Sequence, residues 1–249
     1  MEQSLALGAL QRMGGMDSRT SGIAGLRVAT YNVHKCRGMD GRVSPHRIGR
    51  VLNELKADVI GLQEVLGHHA EIIAAEMKMG FALGENRRHQ GAAYGNVVLS
   101  RFPIRSTRNY DLTVEGREQR GCLRADIDVH GSGVLHIFNV HLGTAWPERR
   151  HQGRRLVAAE LLGDIALDSP RVLIGDFNEW TRGLATKLLR SHMKTANFRW
   201  RSYPGLLPVL HLDHIYYDPA LSLHRVQVHR SPLSLLASDH LPLFADFKL

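Results

Sequence analysis

The chain has 249 residues, enough for one large domain or two small ones with a sizeable buried core. Its hydrophobic fraction, 43%, is that of an ordinary globular protein, and no apolar run reaches the length of a membrane span. Two cysteines, Cys36 and Cys122, give neither a disulfide framework nor a cysteine metal pattern, and a formal net charge of +8 directs attention to anionic partners: nucleic acid, a phospholipid surface or a phosphorylated small molecule.

The chain opens with a short apolar stretch, Leu5 to Leu10, that follows Glu2 with no basic residue before it and so makes a poor signal peptide. The segment "GGMDSRTSG", 14–22, reads as a flexible lead-in. Residues 1–25 are therefore assigned to the lead-in and 26–249 to one domain, with a cytoplasmic location as the expectation.

Strands by length and β-branched composition follow at "LRVATYNV" (26–33), "DVIGLQEV" (58–65), "NVVLSR" (96–101), "CLRADIDVH" (122–130) and "VLHIFNVHL" (134–142), with a hairpin turn at "HGSG" between the last two. Four more are "RVLIGDFN" (171–178), "HLDHIYY" (211–217), "HRVQVHR" (224–230) and "LPLFADFKL" (241–249). Between them, "SPHRIGRVLNELK" (44–56) has a Ser N-cap, Pro at the first helical position and apolar Ile48, Val51, Leu52 and Leu55 at helical spacing. Further helices are predicted over 68–79, 147–167 (the longest) and 184–192. About nine strands with four interspersed helices argue for one α/β or α+β domain in which helices cover a sheet system.

Polar residues collect at the ends of these strands. Asn32 and His34 close the first, Glu64 the second, Asn139 and His141 the fifth, and Asp176 and Asn178 the sixth; Asp213 stands in "LDHI", and Asp239 and His240 stand just before the last strand. Residues two apart on an extended strand share a face, so Asp176 and Asn178 are expected side by side with Phe177 turned away; an Asx turn is the simpler alternative for that pair. Each residue alone is unremarkable. Together the Asn, Glu, Asp and His side chains suit hard-cation binding through oxygen and acid–base work by imidazole, on strand ends of a rigid scaffold.

The run "TYNVH…LQE…YGNVVLSR…RGCLR…NVHL…GDFN…LDHI…SDHLP" closely resembles the endonuclease/exonuclease/phosphatase superfamily, from about Leu26 to Leu249. That superfamily includes pancreatic deoxyribonuclease, abasic-site endonucleases, neutral sphingomyelinases and inositol polyphosphate phosphatases. The resemblance implies a four-layer α/β sandwich of two packed mixed sheets flanked by helices, and divalent-metal-dependent hydrolysis of phosphoesters by in-line attack of water. It implies His240 as general base or phosphate contact, with Asp213 fixing its other nitrogen. Glu64 becomes the principal ligand of Mg2+, for which Mn2+ is a substitute, and Asn32 and Asp239 complete or support that site. Asp176 orients the attacking water or helps to bind a second metal, Asn178 donates to phosphate, and His141 contacts the phosphate or protonates the leaving group. Arg120, Asn96 and Asn139 steady the phosphate and the site geometry. His214 is read as structural, and His34, Lys35 and Arg37 as either pocket residues or solvated loop.

The substrate stays open: a lipid head group or small phosphodiester first, DNA or RNA as the alternative, and a catalytically silent binding protein as the least favoured. The partner is thus an anionic phosphoester, for a chain taken as a monomer without a transmembrane segment and with peripheral membrane contact in view. The apolar segment "YPGLLPVL" (203–210) is read as an entry strand packing into the sandwich, with lipid contact as the alternative; Trp146 and Pro147 sit where a substrate-facing loop is expected.

Overall fold

The computed structural model describes residues 25–129, 131–180, 183–196 and 200–248. The lead-in over 1–24 and His130 of the expected hairpin turn lie outside them. The first strand, β1 (Gly25–Asn32), leads through a one-turn 3-10 segment (His34–Cys36) to α1 (Pro45–Leu55), β2 (Val59–Leu66), α2 (Gly67–Met77), β3 (Gly80–His89) and β4 (Ala92–Ser100). Then come β5 (Ile104–Asp111), β6 (Gly121–Val129), β7 (Gly133–His141), α3 (Trp146–Leu156) and β8 (Arg171–Asp176). The chain finishes with α4 (Leu184–His192), β9 (Lys194–Thr195), β10 (Asp213–Tyr217), β11 (Ser222–Val228), α5 (Pro232–Ala237) and β12 (Leu243–Lys248).

Two six-stranded sheets result, ordered β11-β12-β1-β2-β4-β3 and β5-β6-β7-β8-β10-β9. Both are mixed: β1 pairs parallel with β2, β7 parallel with β8, and the other pairs are antiparallel. The inner faces meet over a core that includes Val28, Val59, Val98, Leu123, Ile127, Ile137, Val172, Ile174, Ile215 and Phe247. A second core, with Ile48, Leu52, Leu55 and Ile73 against Ile60, Leu62 and Leu99, holds α1 and α2 on the first sheet. A third, with Leu156, Ala185 and Leu189 against Phe138, Leu173 and Tyr216, holds α3 and α4 on the second. This is the expected four-layer sandwich.

Several elements depart from the sequence reading, among them the two-residue β9 and the short α5, which it lacks. β3 and β5, unanticipated, are edge strands: their runs, "GFALGENRRH" and "IRSTRNYD", are polar because edges face water, so no apolar alternation marks them. α3 stops at Leu156 rather than 167. There the chain turns back, with the Leu162 and Gly163 N–H groups donating to the Leu156 and Ala158 carbonyls; the apolar periodicity persists because Leu161, Leu162 and Leu167 pack into the same core from turns. And 203–210 is no packed entry strand: Leu206, Leu207 and Val209 are 57, 73 and 50% exposed on a loop closed by one bridge from Tyr203 to Leu210.

Candidate active site

Strand register assembles the second sheet's half of the site. On β8, Asp176 lies directly opposite His141 of parallel β7 on one side and Asp213 of antiparallel β10 on the other. Gly175 makes this possible. It sits at φ +146, and a Cβ there would meet the Val140 carbonyl oxygen at 2.0 Å, so only glycine lets β8 run this close to β7. The chain then leaves the strand: Asn178 has φ +50, and its backbone N–H donates to Asp176 Oδ1 at 2.9 Å. The Asx turn is therefore real, and it brings the Asn178 amide within 3.1 Å of His141 Nε2.

The first sheet supplies Asn32 and Glu64. Glu64 stands at φ +59, where the β2–β4 register slips between Leu62 and Val65. A bulge of this kind re-aims a side chain at a sheet edge and stores about 1–3 kcal/mol of backbone strain. The Asn32 amide donates to Glu64 Oε1 at 3.2 Å and to Asp176 Oδ2 at 2.9 Å, which links the two sheets, and the Tyr94 hydroxyl donates to Glu64 Oε2 at 3.1 Å. Burial opposes ionisation of Glu64, but His141, Asn32, His34 and Tyr94 outweigh it and hold the carboxyl down at about 2.

His240 enters from the loop before β12. Its Nδ1 donates to Asp213 Oδ2 at 2.9 Å, and its Nε2 faces Asp176 Oδ2 at 3.7 Å. Ser202 also donates to Asp213, and the Tyr203 ring lies 4.8 Å from the imidazole. Burial disfavours charge on His240; Asp213, Asp176 and Asp239 reverse this and push it up to about 10. Asp176 moves up to about 6, through burial, against the lowering effect of His240. His141 is the opposite case. Burial and the Arg120 guanidinium bring it down to about 3, so it is neutral. Donors reach both ring nitrogens: the Arg120 guanidinium stands 3.0 Å from Nδ1 and the Asn178 amide 3.1 Å from Nε2, which also faces Asp176 at 3.7 Å.

Asn32, Glu64, Arg120, His141, Asp176, Asn178, Asp239 and His240 all line one cavity of about 250 Å³. Asp213 lies behind His240, fully buried. Asn139 and Asn96, expected beside phosphate, do not line it. Asn139 donates to the Leu62 and Val97 carbonyls at 2.9 and 2.8 Å and accepts from Gln63 at 2.7 Å, while Asn96 donates to the Gly121 carbonyl at 2.9 Å. Both clasp one sheet to the other beneath the site. His214 is buried beside Phe177 and Tyr216, as a structural residue. Tyr94, Ser202, Tyr203, Thr144 and Trp180 were not singled out from the sequence. Tyr94 opens the motif "YGNVVLSR", Trp180 stands two residues after "GDFN", and Tyr203 opens "YPGLLPVL"; nothing local marks Thr144 and Ser202.

Oxygen donors dominate the open part of the cavity: Glu64, Asp176 and Asp239 carboxylates and the Asn32 amide. That set, with Glu64 ionised, fits a hard divalent cation. The Asp176, Asp213 and His240 ligand atoms also lie within 4.8 Å of one another, but both His240 nitrogens already face carboxylates, the arrangement of a hydrogen-bonded relay.

A profile of the endonuclease/exonuclease/phosphatase family matches residues 29–240. The chain belongs to that family. Its members are phosphoester hydrolases that usually work with a divalent metal. YbhP, an uncharacterised protein of Escherichia coli strain K12, is 30% identical over 250 residues, spanning 90% of this chain and 96% of YbhP. An endonuclease/exonuclease/phosphatase from Beutenbergia cavernae DSM 12333 superposes with a TM-score of 0.73 at 26% identity, over 90% of this chain and 72% of that one. A mannosyl-6-phosphatase of Bacteroides thetaiotaomicron gives 0.73 at 16% identity, over 90% and 100%, which is likeness of fold alone.

Proposed function

We propose that the protein is a Mg2+-dependent phosphodiesterase acting on a lipid head group or another small phosphodiester. The observation that carries this reading is the single cavity in which His240, held by Asp213, faces Asp176 while Glu64 stands ionised across from them. Glu64, with Asn32 and Asp239, would hold the cation, and Mn2+ would substitute for it. When bound, the cation acts as a Lewis acid toward phosphoryl oxygen.

The chain's own groups divide the remaining work. Asp176 accepts the proton of the attacking water; it is the carboxylate between the two imidazoles, and the Asn32 amide orients its Oδ2. His240, cationic between carboxylates, offers Nε2–H to a phosphoryl oxygen as negative charge accumulates there. Asp213 fixes the ring and keeps that nitrogen pointed at the cavity. His141, neutral, contacts the phosphate, a role that its low proton affinity favours over protonating the leaving group. Asn178 and Arg120 add donors at the same wall.

The rim favours a lipid. Trp180 lines the cavity and is 64% exposed, and the neighbouring loop carries Leu206 and Leu207, exposed beside the backbone bond from Gly205 to Asp239. An apolar rim around an anion-binding cavity, on a chain of net charge +8, suits an anionic bilayer surface. The same charge supports a second reading, hydrolysis of DNA or RNA, in which binding falls steeply with salt. Hydrolysis of bis(p-nitrophenyl) phosphate in Mg2+ tests the reaction. Activity abolished by EDTA and reduced by about 10²–10⁴ in His240→Ala supports it; near-normal turnover in that variant sinks the assignment. Supercoiled plasmid and phospholipid vesicles, assayed in parallel, separate the two substrate readings.

A further inference from the structure

Tyr94, whose hydroxyl donates to Glu64, packs against Lys35 and His89, two residues that line a second cavity, of about 370 Å³. His34, Arg37 and His69 line it too, with Val43, Leu66 and Gln90, and no carboxylate does. The His89 ring lies 5.9 Å from the Tyr94 ring, and Lys35 Nζ stands 6.0 Å over it. One aromatic side chain therefore stands between the Glu64 carboxylate and a cavity whose charged side chains are basic.

The backbone around this cavity is unusual in two ways. His34, Lys35 and Cys36 occupy three consecutive left-handed positions, at φ 45, 56 and 60. Side chains avoid that region, and such strain collects at ligand-binding sites. The segment is held by the His34 N–H donating to Asn32 Oδ1 at 3.0 Å, so the loop that carries Lys35 is tied to a residue of the first cavity. In addition, α2 starts at the cavity wall. Its N-cap, Leu66, lines the cavity, no side chain caps the helix, and its first turn has no acidic residue. The positive end of the helix is left uncompensated next to the basic side chains.

An independent observation points to a ligand. His69 lines the cavity and is only 6% exposed, yet its Nδ1 has no hydrogen-bond partner among the described residues. A buried polar atom without a partner is costly, and satisfied in most proteins. Lys35, Arg37 and His89 likewise have no carboxylate partner among the described residues, whereas His34 faces Asp239 at 3.6 Å. The unpaired Lys35 and Arg37 cations, the open helix N-terminus beside them and a buried nitrogen without a partner fit one chemistry, a phosphate anion.

Building on the phosphodiesterase reading, we propose that this cavity is a second anion subsite, which binds a non-reacting phosphate of the substrate while the scissile phosphate occupies the His240 cavity. The substrate is then a phosphodiester that carries a further phosphate one aromatic ring away.

Two chromogenic substrates test this with the full-length protein: thymidine 5′-(p-nitrophenyl phosphate) with and without a 3′-phosphate. The variant is Lys35→Asn with Arg37→Ala; asparagine tolerates the left-handed backbone at 35, and residue 37 is exposed, so the fold is kept. The wild type is expected to have a KM about tenfold lower for the substrate with the 3′-phosphate, and the variant to lose most of that preference. Equal KM values for both substrates in the wild type overturn the proposal. So does activation of the single-phosphate substrate by added inorganic phosphate without any 3′-phosphate preference, because the site would then take a free effector. Calorimetric titration with inorganic phosphate keeps the test independent of turnover. If neither substrate is hydrolysed, the phosphodiesterase reading fails by itself, and the subsite still predicts a binding event present in the wild type and missing in the variant; identical isotherms overturn it.

Discussion

Glu64 and Asn139 show how one kind of residue ends up in two trades. Both are polar residues near strand ends, but Glu64 sits on a bulge that turns it into the cavity, whereas Asn139 keeps regular register two residues before His141. Two residues along a strand is roughly 6–7 Å, which is the difference between the mouth of the sandwich and its sealed interior. Alternation reports the face of a strand, not the depth, so the sequence placed Asn139 on the correct side and too close to the phosphate. The two residues are expected to respond differently to mutation. Glu64→Gln should raise the Mg2+ concentration for half-maximal activity by about tenfold or more with little change in unfolding midpoint; an unchanged metal titration argues against it as ligand. Asn139→Ala strands the Leu62 and Val97 carbonyls and the Gln63 amide in the core, so urea unfolding should show a loss of about 3 kcal/mol.

Interior strands were legible, and edge strands mostly were not. β1, β2, β7, β8 and β12 sit inside their sheets and read as apolar runs; of the edges, β3, β5 and β9 were missed, and β11 was read because Val226 and Val228 alternate on its half-buried face. Electrostatics stabilises the interior of the second sheet as well. On β6, Asp126 accepts from Arg124 through two contacts of 2.7 Å and from His136 on β7 at 2.6 Å. Burial works against its charge, but Arg124, Ser106 and His136 bring its carboxyl down to about 2. Because its folded pKa lies below the unfolded value near 3.9, its contribution is fully present above pH 4 and disappears as pH falls through about 2. Asp126→Asn should therefore lower the melting temperature at pH 7, and the gap to the wild type should close between about pH 4 and 2. A gap that is constant with pH would mean the carboxylate's charge is irrelevant. At the end of β8, Gly175→Ala drives a Cβ into the Val140 carbonyl, and activity should collapse with stability, since Asp176 and His141 are positioned by that contact.

At the scale of the whole molecule, the site lies where the two sheets part, and the exposed Leu206, Leu207 and Val209 stand beside it. No helix among the described residues is long and apolar enough to cross a membrane. Leu206→Ser with Leu207→Ser should reduce cosedimentation with anionic vesicles by about tenfold, as loss of two partly inserted leucines implies, and leave hydrolysis of bis(p-nitrophenyl) phosphate intact. Unaltered vesicle binding would remove the lipid argument and turn attention to nucleic acid.

By itself, the sequence determined the layers and the family and pointed to eight of the twelve residues that line the cavity, because buried strands impose apolar runs and the polar residues that interrupt them at strand ends stand out against that background. Only the tertiary structure decided what those residues do to one another. The neutrality of His141, the charge on His240, the clasp role of Asn139 and the basic side chains gathered beyond Tyr94 each depend on groups from strands and loops far apart in the chain, and proton affinity is a property of that three-dimensional company.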